Sequence, residues 1–72
     1  MALPWSAYQE VVEHTFTITN EAVRSDFLNI CYANDISDDV IDGFDSLNEG
    51  RILRSVDEAK EALKATGALS ED

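Results

Sequence analysis

Ser55-Val56-Asp57-Glu58-Ala59-Lys60-Glu61-Ala62-Leu63-Lys64-Ala65-Thr66-Gly67 is the stretch that decides the fold class. Ser55 followed three residues later by Glu58 is a capping box, in which each side chain satisfies an otherwise orphan backbone N–H. Asp57 falls in the first turn, and Lys60 and Lys64 follow toward the negative end of the helix dipole. Val56, Ala59, Ala62 and Leu63 recur at helical spacing and predict the buried side. Gly67 is placed for a left-handed C-terminal cap, and Leu69 can fold back onto that end. Start, stop and stripe agree, so this is a helix.

The same grammar recurs upstream. Asn48-Glu49-Gly50 predicts a turn, and Ile52-Leu53 a brief extended piece. Before the turn, Ser37 is placed to cap a helix with Asp38 and Asp39 in its first turn, where the dipole favours anions. Ile36, Val40, Ile41, Phe44 and Leu47 supply its apolar side. Further back, Val23, Phe27, Ile30 and Cys31 fall at i, i+4, i+7 and i+8, widened by Leu28 and Tyr32. That spacing predicts the most buried helix, capped by Thr19 or Asn20 and ended by Asn34-Asp35, which favour turns. Pro4 and Ser6 open the first helix, with Ser6 and Gln9 as a second capping box. Tyr8, Val11 and Val12 form its inner face, with Trp5 as an outlying member. Thr15-Phe16-Thr17-Ile18-Thr19 alternates polar and apolar β-branched residues, which predicts an extended segment with Phe16 and Ile18 inward. Ile52-Leu53 could lie beside it. Ser70-Glu71-Asp72 reads as a frayed tail.

The chain has 72 residues, enough for one small domain. A hydrophobic content of 44% argues against disorder. Fifteen acids against five bases give a net charge of -10, which excludes the basic footprint of a nucleic-acid binder. It equally disfavours docking on anionic membranes. No run approaches the ~20 apolar residues of a membrane span, and Met1-Ala2-Leu3-Pro4-Trp5 lacks a signal peptide's basic segment. The single cysteine, Cys31, fits a reduced core residue in a cytoplasmic protein. A homodimer is compatible with this composition and would bury further apolar surface.

Six of the fifteen acids lie between Asp35 and Glu49, with no base between Arg24 and Arg51. Asp35, Asp38, Asp42, Asp45 and Glu49 recur every three or four residues, and on a helix they would share the face opposite Val40, Ile41, Phe44 and Leu47. A solvated face on an acidic protein would look the same. As a functional surface, it would meet a basic protein partner, and a sharper version presents carboxylates where phosphates would sit, mimicking nucleic acid.

Other chemistries compete for the same segment. Counted from Asp38, a calcium loop would have Asp42 at position five, Gly43 at six, Ser46 at nine and Glu49 at twelve, but Val40 at position three offers no side-chain oxygen. No metal is therefore expected. Gly43-Phe44-Asp45-Ser46-Leu47 resembles the serine motif of acyl and peptidyl carrier proteins, small acidic helical domains whose serine holds a phosphopantetheine arm. Only 26 residues follow Ser46, too few for that family's remaining helices, and no cofactor is expected. Catalysis has little support. His14 stands alone, and Cys31 lies on an apolar stripe, where thiols are usually inert. No phosphate loop, dinucleotide fingerprint or zinc spacing occurs.

From Phe16 to Leu63 the order of features resembles a family of short bacterial and archaeal proteins catalogued as a domain of unknown function. The residues that carry this are Phe16, Phe27-Leu28, Asp35-Ile36, Asp38 to Ile41, Phe44, Leu47, Arg51, and Ser55 to Glu58. Thr17 and Asn48 stand where that pattern has prolines. The family implies no functional residues. The expectation is thus a compact all-α domain of four short helices, with room for one tiny strand pairing. It would act as a non-enzymatic interaction or regulatory module through Asp35, Asp38, Asp42, Asp45 and Glu49.

Overall fold

A computed structural model describes residues 2–70. Four helices follow in order: α1 (Trp5–Ile18), α2 (Arg24–Ala33), α3 (Asp38–Asp45) and α4 (Val56–Ala65). The chain is all-α, as the periodicity predicts. α1 packs against both α2 and α4, and α2 packs against α3. Among the described residues, fifteen buried apolar side chains form one cluster between the helices. At its centre Tyr8 meets Phe44 edge-on at 5.2 Å, Phe44 stacks on Phe27 at 5.0 Å, and Phe27 meets Phe16 edge-on at 6.2 Å.

α1 departs from the sequence expectation at both ends. Its N-cap is Pro4, with no side-chain cap, and the Gln9 amide donates forward to Glu13 at 2.8 Å rather than back to Ser6. The Thr15–Ile18 segment is helical, not extended. Tyr8, Val11, Val12 and Thr15 make one buried stripe, so the 3.6-residue period carries on through a threonine. Thr15 Oγ1 donates to the Val11 carbonyl at 2.8 Å, and Thr17 Oγ1 to that of His14 at 2.6 Å. Those back-bonds satisfy the hydroxyls inside the helix, where propensity alone disfavours them. Phe16 is partly buried, whereas Ile18 is 67% exposed.

α2 begins later than Thr19 or Asn20. The Ala22 and Leu53 backbones bond each other in both directions at 2.8 Å, which holds residue 22 extended. The helix then starts after Val23, whose N–H donates to the Asp26 carboxylate at 2.9 Å. Leu53 thus pairs with Ala22 and not with the Phe16–Ile18 segment. Tyr32, expected to widen the buried stripe, is 64% exposed.

Two helices end alike. Asp35 adopts φ 53°, and the Ile36 N–H reaches back to the Cys31 carbonyl at 3.0 Å. Gly67 adopts φ 83°, and the Ala68 N–H reaches the Leu63 carbonyl at 3.0 Å. Both are Schellman-type stops. At the start of α4, Ser55 Oγ accepts from the Glu58 N–H at 3.1 Å, and Glu58 accepts from the Arg54 N–H at 3.2 Å. After α4 the chain returns to the N-terminal segment, a pairing that the expected fold-back of Leu69 onto the end of α4 did not include. Leu69 bridges Leu3 in parallel, and the Ser70 N–H donates to the Leu3 carbonyl at 2.8 Å. Ser70 is therefore tied down; Glu71 and Asp72 lie outside the described residues.

Candidate functional site

The amphipathic logic of α3 places the acids. Val40, Gly43 and Phe44 face the core, leaving Asp38, Asp42 and Asp45 at i, i+4 and i+7 on the outer side. Asp35 precedes the helix in its left-handed turn, and Glu49 lies in the turn after it. The five residues make an arc around α3 rather than one helix face, because the helix is only eight residues long. All five are exposed, as is Asp39.

One end of the arc is already met by a base. The Arg24 guanidinium, at the start of α2, lies 2.9 Å from Glu49 and 3.8 Å from Asp45. It also donates to the Asp45 carbonyl at 3.3 Å, at the negative end of α3. The gap in bases between Arg24 and Arg51 holds along the sequence but not in space. Asp35, Asp38, Asp39 and Asp42 have no such cation among the described ion pairs.

Beside Asp42 a cleft of about 130 Å³ opens, lined by Asp42, Gly43, Ser46, Thr66, Gly67 and Ala68. Here the C-terminal ends of α3 and α4 meet, with Ser46 Oγ and Thr66 Oγ1 3.0 Å apart. Gly43 forms part of its wall for a steric reason. A Cβ there would stand 2.6 Å from Tyr8 Cε1, inside a ring that is fully buried. The Tyr8 hydroxyl donates to the Ala68 carbonyl at 2.9 Å. Burial, and secondarily the charge of Asp39, push its pKa up.

Residues 38–45 are helical where a calcium loop would wrap an ion, and among the described residues no three His, Cys, Asp or Glu side chains gather to hold a metal. Ser46 closes α3 rather than opening a helix, and its Oγ donates to the Gly43 carbonyl at 2.6 Å. Cys31 is buried, and burial pushes its thiol up to about 11. His14 is exposed and borders a shallow hollow with Glu10, Ile30, Asn34 and Ile36. Thr66 was not singled out by the sequence, because the meeting of two helix ends twenty residues apart leaves no local signal.

No family model matches the chain, nor does any curated protein or solved structure. Among the described residues, no helix is long and apolar enough to cross a membrane.

Proposed function

We propose that the chain is a non-enzymatic, cytoplasmic interaction module whose acidic arc receives a basic protein partner. The observation that supports this best is the exposure of every acid from Asp35 to Glu49, with a single guanidinium at one end. Repulsion between like charges at i, i+4, as for Asp38 and Asp42, costs a helix roughly 0.2–0.5 kcal/mol per pair. A partner's cations would relieve that repulsion, and the field of the arc would steer them in. Arg24 already relieves the Asp45 and Glu49 end, so Asp35, Asp38, Asp39 and Asp42 are the part that a partner would meet first. In its sharper form the arc stands in for a phosphate backbone and occupies a groove made for nucleic acid.

The test compares two double reversals with the same change in net charge. Asp38→Lys with Asp42→Lys alters the arc; Glu10→Lys with Glu61→Lys alters exposed acids on α1 and α4 that make no described ion pair. Glu58 is unsuitable as a control because it supports the start of α4. Each is used to capture proteins from the native host at low and moderate salt. A basic protein retained by the wild type and by the α1/α4 variant, but lost by the α3 variant, supports the arc. Equal loss in both variants reduces the effect to net charge and overturns the assignment.

A further inference from the structure

Two hollows between α1 and α2 share Ile30 and so form one groove. The larger, about 170 Å³, is lined by Thr15, Ile18, Thr19, Asp26, Asn29 and Ile30. The smaller, beside His14, reaches Asn34 and Ile36. Residues late in α1 thus face residues early in α2, and the groove follows an antiparallel pair. From Val11 to Ile18 it runs about 10 Å, two turns of helix. Its floor is largely apolar: Val11 and Thr15 are buried, and Ile30 and Ile36 are half-buried. The Thr15 hydroxyl is bonded to the Val11 carbonyl, which leaves its methyl as the group to be covered. At one end stands Ile18, a large apolar side chain left mostly in water.

Charge decides what fits there. Glu10 and Asp26 are the acids on the rim, and residues 1–23 contain no lysine or arginine. Arg24, the next residue, reaches instead to Asp45 and Glu49 beside α3. A second copy laid symmetrically on this face would set acid against acid, on a chain of net charge -10. The same acids turn the groove away from an anionic lipid surface. Size also disfavours a dimer seam. Standard interfaces draw on about 20–30 residues a side, whereas eleven line this groove. Two packed helices with a furrow two turns long suit the apolar ridge of a single third helix.

We infer that this groove receives one amphipathic helix of a protein partner, with leucine-like residues at helical spacing and lysines or arginines beside them. The apolar stripe covers Ile18 and Ile30, and the flanking cations meet Glu10 and Asp26. This face is separate from the acidic arc, and the inference stands whether or not the arc binds.

Three peptides of ~14 residues, long enough to turn helical on binding, are titrated into the isotope-labelled full chain while amide shifts are followed. One is a striped helix of leucine, alanine and lysine. The second has the same composition scrambled to remove the stripe, and the third keeps the stripe with glutamate for lysine. Saturable shifts at Val11, Thr15, Ile18, Asn29 and Ile30 are expected with the first peptide alone. Ile18→Ser should weaken that binding about tenfold, the worth of leaving much of an isoleucine uncovered. Ile52→Ser, at an exposed isoleucine outside the groove, should leave it unchanged. Asp38→Lys with Asp42→Lys should keep the groove shifts even where it removes shifts on the arc. Equal groove shifts from the scrambled peptide, or none from the striped one at millimolar concentration, would overturn the inference. Groove shifts produced merely by concentrating the chain would do so too, by placing a second copy there. Binding that follows Asp38 and Asp42 rather than Ile18 would assign the peptide to the arc and sink the groove alone.

Discussion

Gly43 shows how one residue can answer to a distant one. In a helix interior glycine costs ~1 kcal/mol against alanine, so Gly43→Ala would ordinarily stabilise α3. Here the added methyl would collide with the buried Tyr8 ring, and overpacking of that kind costs about 1–3 kcal/mol. Urea unfolding should therefore show Gly43→Ala to be destabilised; a gain in stability would refute the close contact. The sequence offered Gly43 only as a calcium-loop or carrier-motif glycine, because nothing local connects position 43 with position 8. Cys31 was more legible, since it lies on an apolar stripe. Its thiol should react slowly with a thiol reagent at neutral pH, and rapid labelling would contradict its burial. Burial also fixes a pH dependence. The folded thiol titrates at about 11, above its ordinary 9.0, and Tyr8 is shifted upward from 10.0. The unfolded chain therefore loses these protons first, and stability is full below pH 9 and falls as pH rises through the window from 9 to 11. A stability curve that rises across that window would be inconsistent with both burials.

At the scale of elements, the three serine caps that the sequence proposes separate into one that bonds and two that do not. Ser55 accepts from Glu58, whereas Ser37 caps α3 without a side-chain bond and Ser6 lies inside α1. Ser55→Ala should cost ~1 kcal/mol, and Ser37→Ala and Ser6→Ala much less. Equal losses in chemical denaturation would contradict this ranking. Helix number and the stops at Asp35 and Gly67 were legible, because each depends on neighbours within a few residues, whereas the bridging of Leu69 to Leu3 was not, because it joins the two ends of the described chain. The threonine-rich end of α1 was not. Its alternation mimics a strand, and only packing of Thr15 and Phe16 against the core decides for the helix. The late start of α2 was equally hidden, since it follows from the pairing of Ala22 with Leu53 across thirty-one residues.

Charge governs the molecule as a whole. A net charge of -10 on 72 residues repels itself, and the three described ion pairs are too exposed to offset much of it. Thermal unfolding should move to higher temperature as sodium chloride is added, and a fall in Tm would mean that the ion pairs outweigh the repulsion. The acids were legible as a cluster in the sequence, but the engagement of Asp45 and Glu49 by Arg24 was not, because it joins segments that meet only in the fold. That contact divides the arc into a partly paired end and an open one. The most direct test of the arc as an interaction surface follows amide shifts of the labelled chain during titration with a short polylysine. Shifts concentrated on Asp35, Asp38, Asp39 and Asp42, diminishing with salt, are the predicted result. Shifts spread evenly to Glu10, Glu13, Asp57 and Glu61 would contradict it and leave the arc as a solvated surface.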